Sequence, residues 1–380
     1  MNPNPQQEAL EAVHLARELG CAIDRPLAKD DKESNFDREA WNRLFDSEFI
    51  HGFLPTEYGG KAWSTRTAVS ALEAFGESCR DAGLCLGLSS FVWTILPPIL
   101  SAASKSQART WLSEIASKRL IVADGVSEPQ AGSDVMALQT KAIRYKDGYL
   151  LSGHKSYIGF APIADRILVF ARIDGAEGPW GISTFYIPSD IPGIIRSPNR
   201  DKQGLRTLPM GNIEFQDCFV GEECRVGEEG VGLSLFNEAM QWERSFILAT
   251  QVGAMKRQLD QCIEHARNRE QFGKQIKDFQ SVSNRIADMR VRLEQCRLML
   301  QHCAQLKDQG ENIALQSSIA KLTISEAQFA SSLDAVRIHG AKGYLSEFEI
   351  ERDLRNATGG LLYAGTSDIQ RNLIAKLIGL

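Results

Sequence analysis

The sequence lacks the features that mark several large classes of protein. Its 43 basic and 48 acidic residues leave a formal net charge of −5, without the basic excess of a nucleic-acid surface. Its eight cysteines include no Cys-x-x-Cys pair, and its six histidines show no HExxH motif or other metal-ligand spacing. We therefore expect reduced cysteines in a cytoplasmic protein, no metal site and no nucleic-acid partner.

Secretion and membrane signals are equally sparse. The opening residues, MNPNPQQEAL, contain neither the basic nor the apolar region of a signal peptide. The uncharged stretch 82–104 is long enough to span a bilayer, but Gly87, two serines and the pair Pro97-Pro98 interrupt it. We interpret this stretch as a buried helix rather than a membrane span, and expect no membrane partner.

The patterns that are present run from helical to β-type and back to helical. Residues 1–120 show apolar residues at helical spacing. Short β-type runs separated by Gly and Pro follow in 121–225, at 149–151, 166–170, 183–187 and 212–215. Helical patterns then return at 231–268, 280–308, 312–339, 346–357 and from Ser367 onwards. We predict an α+β fold with an N-terminal helical domain (1–120), a middle β domain (121–225) and a C-terminal helical bundle (226–380).

Four segments resemble signatures of the acyl-CoA dehydrogenase family. They are VSEPQAGSD (126–134), GHKSYI (153–158), RNREQFGK (267–274) and GTSDIQR (365–371). Each alone is typical of an ordinary loop or helix end, and it is their joint order over nearly the whole chain that makes the match specific. The resemblance implies an acyl-CoA dehydrogenase-like fold, bound FAD in a cleft between the β domain and the bundle, and a homotetramer or dimer.

The resemblance also implies which residues contact the cofactor. Val126 and Ser127 would touch the isoalloxazine, and Tyr157 matches the aromatic residue that covers it, although Gly159 replaces the usual Ser or Thr. The remaining contacts fall along the thioester arm (Gly132 and Ser133), at a neighbouring subunit's diphosphate (Arg269, Gln271 and Phe272) and elsewhere along FAD (Gln280, Gly340, Ala341, Thr366 and Asp368). An Arg guanidinium suits phosphate oxygens because its donors form a planar fork.

The position of the catalytic base departs from most of the family. The usual Glu before the Gly-Thr-Ser segment is Ala364 here, and a methyl group cannot accept a proton. A subset of the family, including isovaleryl-CoA-type enzymes, carries its Glu where this chain has Glu243. The helical neighbours of Glu243 are apolar (Ala239, Met240, Phe246 and Ile247), so burial should raise its pKa towards the working pH. We expect Glu243 to be the base rather than half of a structural ion pair.

Within the family the chain resembles prolyl-carrier-protein dehydrogenases of natural-product pathways, through its Trp-Glu-Arg context (242–244), APIAD (161–165) and IEHAR (263–267). The implied substrate is proline tethered by phosphopantetheine to an acyl or peptidyl carrier protein, oxidised to a pyrroline or pyrrole. Ser133, Arg244 and Tyr363 would line its site, with Arg244 also orienting its helix. The alternatives are a short branched-chain acyl-CoA dehydrogenase acting on a CoA thioester, a flavin monooxygenase of the same fold, and a non-catalytic scaffold.

Overall fold

The computed structural model describes residues 5–380 of the 380-residue chain. The signal-peptide and domain predictions for residues 1–4 lie outside the described residues. The described helices are α1 (Pro5–Ile23), α2 (Ala28–Glu33), α3 (Arg38–Asp46), α4 (Glu48–His51), α5 (Thr65–Ser78), α6 (Ala82–Ser90), α7 (Leu96–Ala102), α8 (Lys105–Lys118), α9 (Gly232–Phe246), α10 (Ala249–Asn268), α11 (Gln280–Asp308), α12 (Ala314–His339), α13 (Ala341–Tyr344), α14 (Ile350–Gly360) and α15 (Ser367–Leu377).

The strands lie mainly in the middle of the chain. They are β1 (Val122–Gly125), β2 (Lys141–Tyr145), β3 (Gly148–Gly159), β4 (Arg166–Ile173), β5 (Ile182–Pro188), β6 (Ile194–Arg196), β7 (Met210–Gly221), β8 (Arg225–Val226), β9 (Glu270–Gln271) and β10 (Lys274–Gln275). The chain folds into two compact units. Among the described residues, we call 5–89, 202–207 and 244–380 the helical unit, and 90–201 and 208–243 the sheet unit.

The helical unit is built around α5 and α10. These two helices approach so closely that a Cβ on Gly76 would lie 1.9 Å from the Thr250 carbonyl oxygen, and one on Gly253 would lie 2.0 Å from that of Glu73. Glycine is therefore required at both positions, since any side chain would separate the helices. α1 and α11 also pack on α5, and α12 packs on α10, α11, α14 and α15.

The sheet unit contains an eight-stranded sheet within the described residues, in the order β6-β7-β3-β2-β4-β5-β8, with β1 added in parallel to β4. The register of the long antiparallel pair β3–β7 shifts at two places, and one of these irregularities lies between Lys155 and Ile158. A short π-helical turn, Phe91–Ile95, joins α6 to α7 and packs against β1. The irregularity in β3 lies next to the residues that follow β1, since Lys155 and Ser156 bond to the carbonyl oxygens of Val126 and Ser127.

The predicted α+β class and its helical–β–helical order are confirmed, and each of the four β-type runs lies within a strand: β3, β4, β5 or β7. The boundaries at 120 and 225 remain predictions, since the compact units combine segments from distant parts of the chain. The helical pattern predicted across 231–268 is two helices, because the chain turns at Ile247 and Leu248. Both residues are buried, so the apolar pattern continues through the break. The predicted pattern at 346–357 is α14, displaced towards the C-terminus.

The uncharged stretch forms a buried helical segment, as the sequence predicts. Ala82–Ala102 is the one helix in residues 5–380 with the length and apolar composition to cross a membrane, and 89% of its most apolar window is buried. All eight cysteines lie within the described residues and are free thiols. No group of three or more His, Cys, Asp or Glu residues within the described part of the chain is arranged to hold a metal ion.

Candidate active site

Glu243 lies near the C-terminal end of α9 and is 8% exposed. The apolar residues that the sequence placed around it, Ala239, Met240, Phe246 and Ile247, are all buried as well. A carboxyl group in such surroundings has few of the water contacts that stabilise its charge, which is the setting in which carboxylates serve as general bases. The burial required of the base is present at this position.

Ala364, the alternative position for the base, lies in a tight turn before α15. Ala364 and Gly365 both adopt positive φ angles, of 56° and 85°. The Ala364 carbonyl oxygen accepts hydrogen bonds from Gln370 Nε2 at 2.9 Å and from Arg244 Nε at 3.4 Å. Arg244, the residue after Glu243, is therefore hydrogen-bonded to this turn, a contact in keeping with the orienting role predicted for it. Thr366 then caps α15, its Oγ1 accepting from the Ile369 N–H at 3.2 Å.

The loop that carries the first signature segment is fixed by Glu128. Its carboxylate accepts hydrogen bonds from the backbone N–H groups of Gln139 and Thr140 at 2.7 and 2.9 Å. Lys155 Nζ lies 2.9 Å from Glu128 Oε1 and 3.0 Å from the Val126 carbonyl oxygen. The two side chains of this pair are 0% and 1% exposed. One buried ion pair therefore joins both ends of the loop to β3.

The pair is ionised at neutral pH. Burial lowers the pKa of Lys155 to about 8, with Glu128 opposing the shift. Burial also raises the pKa of Glu128, but Lys155 and the hydrogen bonds more than offset it and hold that pKa below its usual range. A lysine with a pKa above 7 and a carboxyl with a lowered pKa are both charged in neutral solution.

Val126 and Ser127 are held against β3 by the same arrangement. The Ser127 carbonyl oxygen accepts from the Ser156 N–H at 2.9 Å, next to the Lys155 contact on Val126. Gly132 and Ser133 lie on the exposed part of the loop, and a Cβ added to Gly132 would meet nothing within 4 Å. The loop therefore has a fixed end at Val126 and Ser127 and an open end at Gly132 and Ser133. The fixed end suits a flat ring, and the open end suits an extended thioester arm.

Tyr157 departs from the strand pattern around it. It is 62% exposed, adopts a φ of 62° and lies at the irregularity between Lys155 and Ile158. A bulky residue at positive φ is uncommon, and irregularities in strands often redirect a side chain near a functional site. At Gly159 an added Cβ would meet only Leu208, at 3.9 Å, so the surface beside Tyr157 is open. An exposed ring beside an open backbone fits the face of an isoalloxazine.

The other predicted cofactor residues belong to the helical unit. Arg269, Gln271 and Phe272 lie on the small hairpin formed by β9 and β10, and all three are exposed. Phe272 and Gly273 form the turn of this hairpin, with φ angles of 52° and 75°. Phe272 lies at its tip and is 94% exposed. Gln280, Gly340, Ala341 and Asp368 are exposed and Tyr363 is half-buried. The assignment of these residues to FAD or substrate remains a prediction.

The residues of the sheet unit fit the cofactor that the sequence implies. An exposed aromatic ring, an unobstructed glycine and a loop end held by a buried ion pair give a rigid, open surface for a flat polar ring system. The exposed Arg269 guanidinium of the helical unit has the donor geometry for a diphosphate.

Three features of the sheet unit were missed at the sequence level. The first is the buried ion pair of Glu128 and Lys155, which lie in the signature segments 126–134 and 153–158. A lysine within the largely buried strand β3 is the sequence feature that could have indicated this pair. Asp124, on β1, is a half-buried carboxyl with one oxygen sealed from solvent. Trp93 and Trp242 stack with ring centroids 5.9 Å apart and planes 8° from parallel. Nothing in the local pattern distinguishes these two tryptophans from ordinary core residues.

Comparisons with known proteins cover almost the whole chain. The N-terminal, middle and C-terminal domain models of acyl-CoA dehydrogenase match residues 6–119, 123–218 and 230–379. An L-prolyl-[peptidyl-carrier protein] dehydrogenase of Pseudomonas fluorescens is 40% identical over 357 residues, which are 94% of each chain. A crystal structure of the prolyl acyl carrier protein oxidase AnaB superimposes with a TM-score of 0.95 at 39% identity, covering 100% of both chains. A structure of PigA with FAD and proline has a TM-score of 0.95 at 33% identity and the same coverage.

Proposed function

The chain belongs to the acyl-CoA dehydrogenase family and is an FAD-dependent oxidoreductase, and we propose that it oxidises an L-prolyl thioester carried by a phosphopantetheinylated carrier protein. Two observations support this substrate. The relatives with 40% and 36% identity are named L-prolyl-[peptidyl-carrier protein] dehydrogenases, and they align over about nine-tenths of the chain. The solved structure of PigA, a neighbour in fold, contains both FAD and proline.

The observation that carries the proposal is the buried carboxyl of Glu243, together with a methyl group at Ala364. Oxidation next to a thioester carbonyl requires a base that removes the α-proton, and Glu243 supplies it from apolar surroundings. Bound FAD supplies the acceptor for the hydride that leaves the β-carbon. The carboxylate gains one proton, the substrate loses one proton and one hydride, and a carbon–carbon double bond forms in the ring.

The carrier protein, rather than CoA, is the proposed partner. The names of the two L-prolyl relatives and of AnaB specify peptidyl or acyl carrier proteins. A free amino acid would not present the activated α-proton that a thioester provides, so the tether is part of the chemistry. We expect the reaction in the cytoplasm, in keeping with eight free thiols.

The test is anaerobic reduction of the purified FAD enzyme by a panel of thioesters. We expect L-prolyl-carrier protein to bleach the flavin absorbance, and short branched-chain acyl-CoA to leave it unchanged at equal concentration. Prolyl-CoA separates recognition of the acyl group from recognition of the carrier. Bleaching by acyl-CoA but not by prolyl-carrier protein would refute the proposed substrate and favour an ordinary acyl-CoA dehydrogenase.

We also propose a homo-oligomer, with Phe272 in its interface. An aromatic side chain with 94% exposure at the tip of a hairpin is costly in water and is typical of an interface anchor. Arg269, on the same hairpin, would then lie at the partner's FAD. The exposed Tyr344 and Leu362 of the same unit add apolar surface suited to burial by another copy.

We predict that Phe272→Ser shifts the protein to smaller species in light scattering at micromolar concentration. Removing an aromatic anchor from an interface costs about 2 kcal/mol or more, which is about a 30-fold increase in the dissociation constant. Leu10→Ser is the matched control, because Leu10 is 71% exposed on α1 and outside the proposed interface. A wild-type monomer that retains FAD, or an assembly unchanged in Phe272→Ser, would contradict the assignment.

A further inference from the structure

Asp124 occupies a position that is costly for a carboxyl group. It lies on β1, opposite Leu168 of β4, and the apolar turn Phe91–Ile95 packs against the same strand. Its Oδ1 is sealed from solvent and accepts no hydrogen bond from any group among residues 5–380. A buried polar oxygen without a donor destabilises a fold, so its retention points to a partner that arrives from outside the chain.

The charges around Asp124 indicate the kind of partner. Burial and the neighbouring Glu243 carboxylate raise the pKa of Asp124 well above its usual range, and Lys155 opposes them only in part. The Lys155 ammonium lies 2.9 Å from Glu128 and 3.0 Å from the Val126 carbonyl oxygen, so its hydrogen bonds are directed to those groups. The turn Phe91–Ile95 packs against β1, and its Trp93 stacks on Trp242, the residue before Glu243, so the two carboxyl groups lie in the same region of the sheet unit. The one cation beside them is already engaged, and a second cation would balance their charge.

A prolyl thioester brings such a cation to this location. Its ring nitrogen is bonded to the α-carbon, the atom from which Glu243 would remove a proton. Asp124 lies on the strand that packs against the Trp93 turn, and Trp93 stacks on the neighbour of Glu243, so its carboxyl group is placed on the side of the site where the substituents of that carbon would lie. A secondary ammonium there would donate a hydrogen bond to Asp124, whereas an ordinary acyl chain has no donor at that position.

We propose that Asp124 binds the ring nitrogen of the substrate and thereby selects an α-amino thioester over a simple acyl thioester. This inference rests on the proposed function and adds the residue responsible for its specificity. When the secondary ammonium is bound, its positive charge offsets the negative charge of the Asp124 carboxylate, so Asp124 no longer disfavours the ionised form of Glu243 that can act as the base. With an acyl substrate the Asp124 oxygen stays without a donor, which disfavours that complex.

The test compares two substrates that differ only at this nitrogen. L-prolyl and cyclopentanecarbonyl groups are loaded on the same carrier protein, and anaerobic flavin reduction is followed for each by stopped flow. In the wild type we expect the prolyl group to be preferred. In Asp124→Asn the ratio of the two second-order rate constants should fall about 10–100-fold, the equivalent of one hydrogen bond to a charged group.

The controls separate specificity from folding. FAD content and thermal unfolding are measured for each variant. If Asp124→Asn loses its cofactor, the ratio of the two rate constants is measured in Asp124→Ser instead. Serine removes the carboxylate and keeps a small hydroxyl group. An equal loss on both substrates, or an unchanged ratio, means a structural role and overturns the inference. A wild type that the prolyl-carrier protein fails to reduce refutes the proposed function instead. A wild type that does not distinguish the two substrates refutes the role of Asp124 alone.

Discussion

Lys155→Met should lower the free energy of unfolding by about 3–5 kcal/mol, the range observed when one partner of a buried ion pair is removed. Methionine fills nearly the same volume but leaves the Glu128 carboxylate, 1% exposed, without its cation. The backbone donors of Gln139 and Thr140 remain, yet they cannot neutralise the charge. Urea unfolding of the purified protein measures the change, and FAD content reports whether the signature loop stays in place.

Two further variants show whether the effect comes from burial. Lys141→Met is the matched control, because Lys141 pairs with Asp174 at 3.3 Å with both side chains half exposed or more. Exposed pairs of this kind contribute about 1 kcal/mol or less. The double variant Lys155→Met, Glu128→Gln should regain part of the lost stability, since it removes the uncompensated charge. Equal losses in Lys155→Met and Lys141→Met would show that the buried pair has no special role.

Much of the fold could be predicted because its elements carry periodic patterns. Buried apolar residues recur at helical spacing along α11, at Met289, Leu293, Cys296, Leu300 and Cys303. The strand runs are separated by turns rich in glycine and proline. The break at Ile247 and Leu248 could not be predicted, since two buried apolar residues continue the helical pattern on either side. Strands as short as β6 and β8 have too few residues for a period to be visible.

Some residues of the candidate site could also be predicted from the sequence, and others could not. Glu243 could be found because the apolar residues beside it are local neighbours on one helix, and because a methyl group stands at the competing position. Asp124 and Lys155 could not be paired with it, since they lie on β1 and β3 and their interaction depends on how the strands are arranged in the sheet. The electrostatic effect of a buried charge depends on which groups surround it in the fold, and these groups are distant from one another in the sequence.

The loss of the Glu243 carboxylate should have the largest effect on catalysis. Glu243→Gln keeps the size and polarity of the side chain, so fold and FAD content should be preserved. An amide cannot take the α-proton, and loss of a positioned base lowers a rate by about 10²–10⁴-fold. Glu238→Gln on the same helix is the matched control, because Glu238 is exposed and the same change of charge occurs in solvent.

The most direct measurement is the rate of anaerobic flavin reduction when L-prolyl-carrier protein is mixed with each enzyme by stopped flow, at matched FAD content. We predict a rate lower by about 10²–10⁴-fold in Glu243→Gln and a wild-type rate in Glu238→Gln. A Glu243→Gln enzyme that reduces its flavin as fast as the wild type would show that another group removes the α-proton, and would contradict the relocation of the base to Glu243.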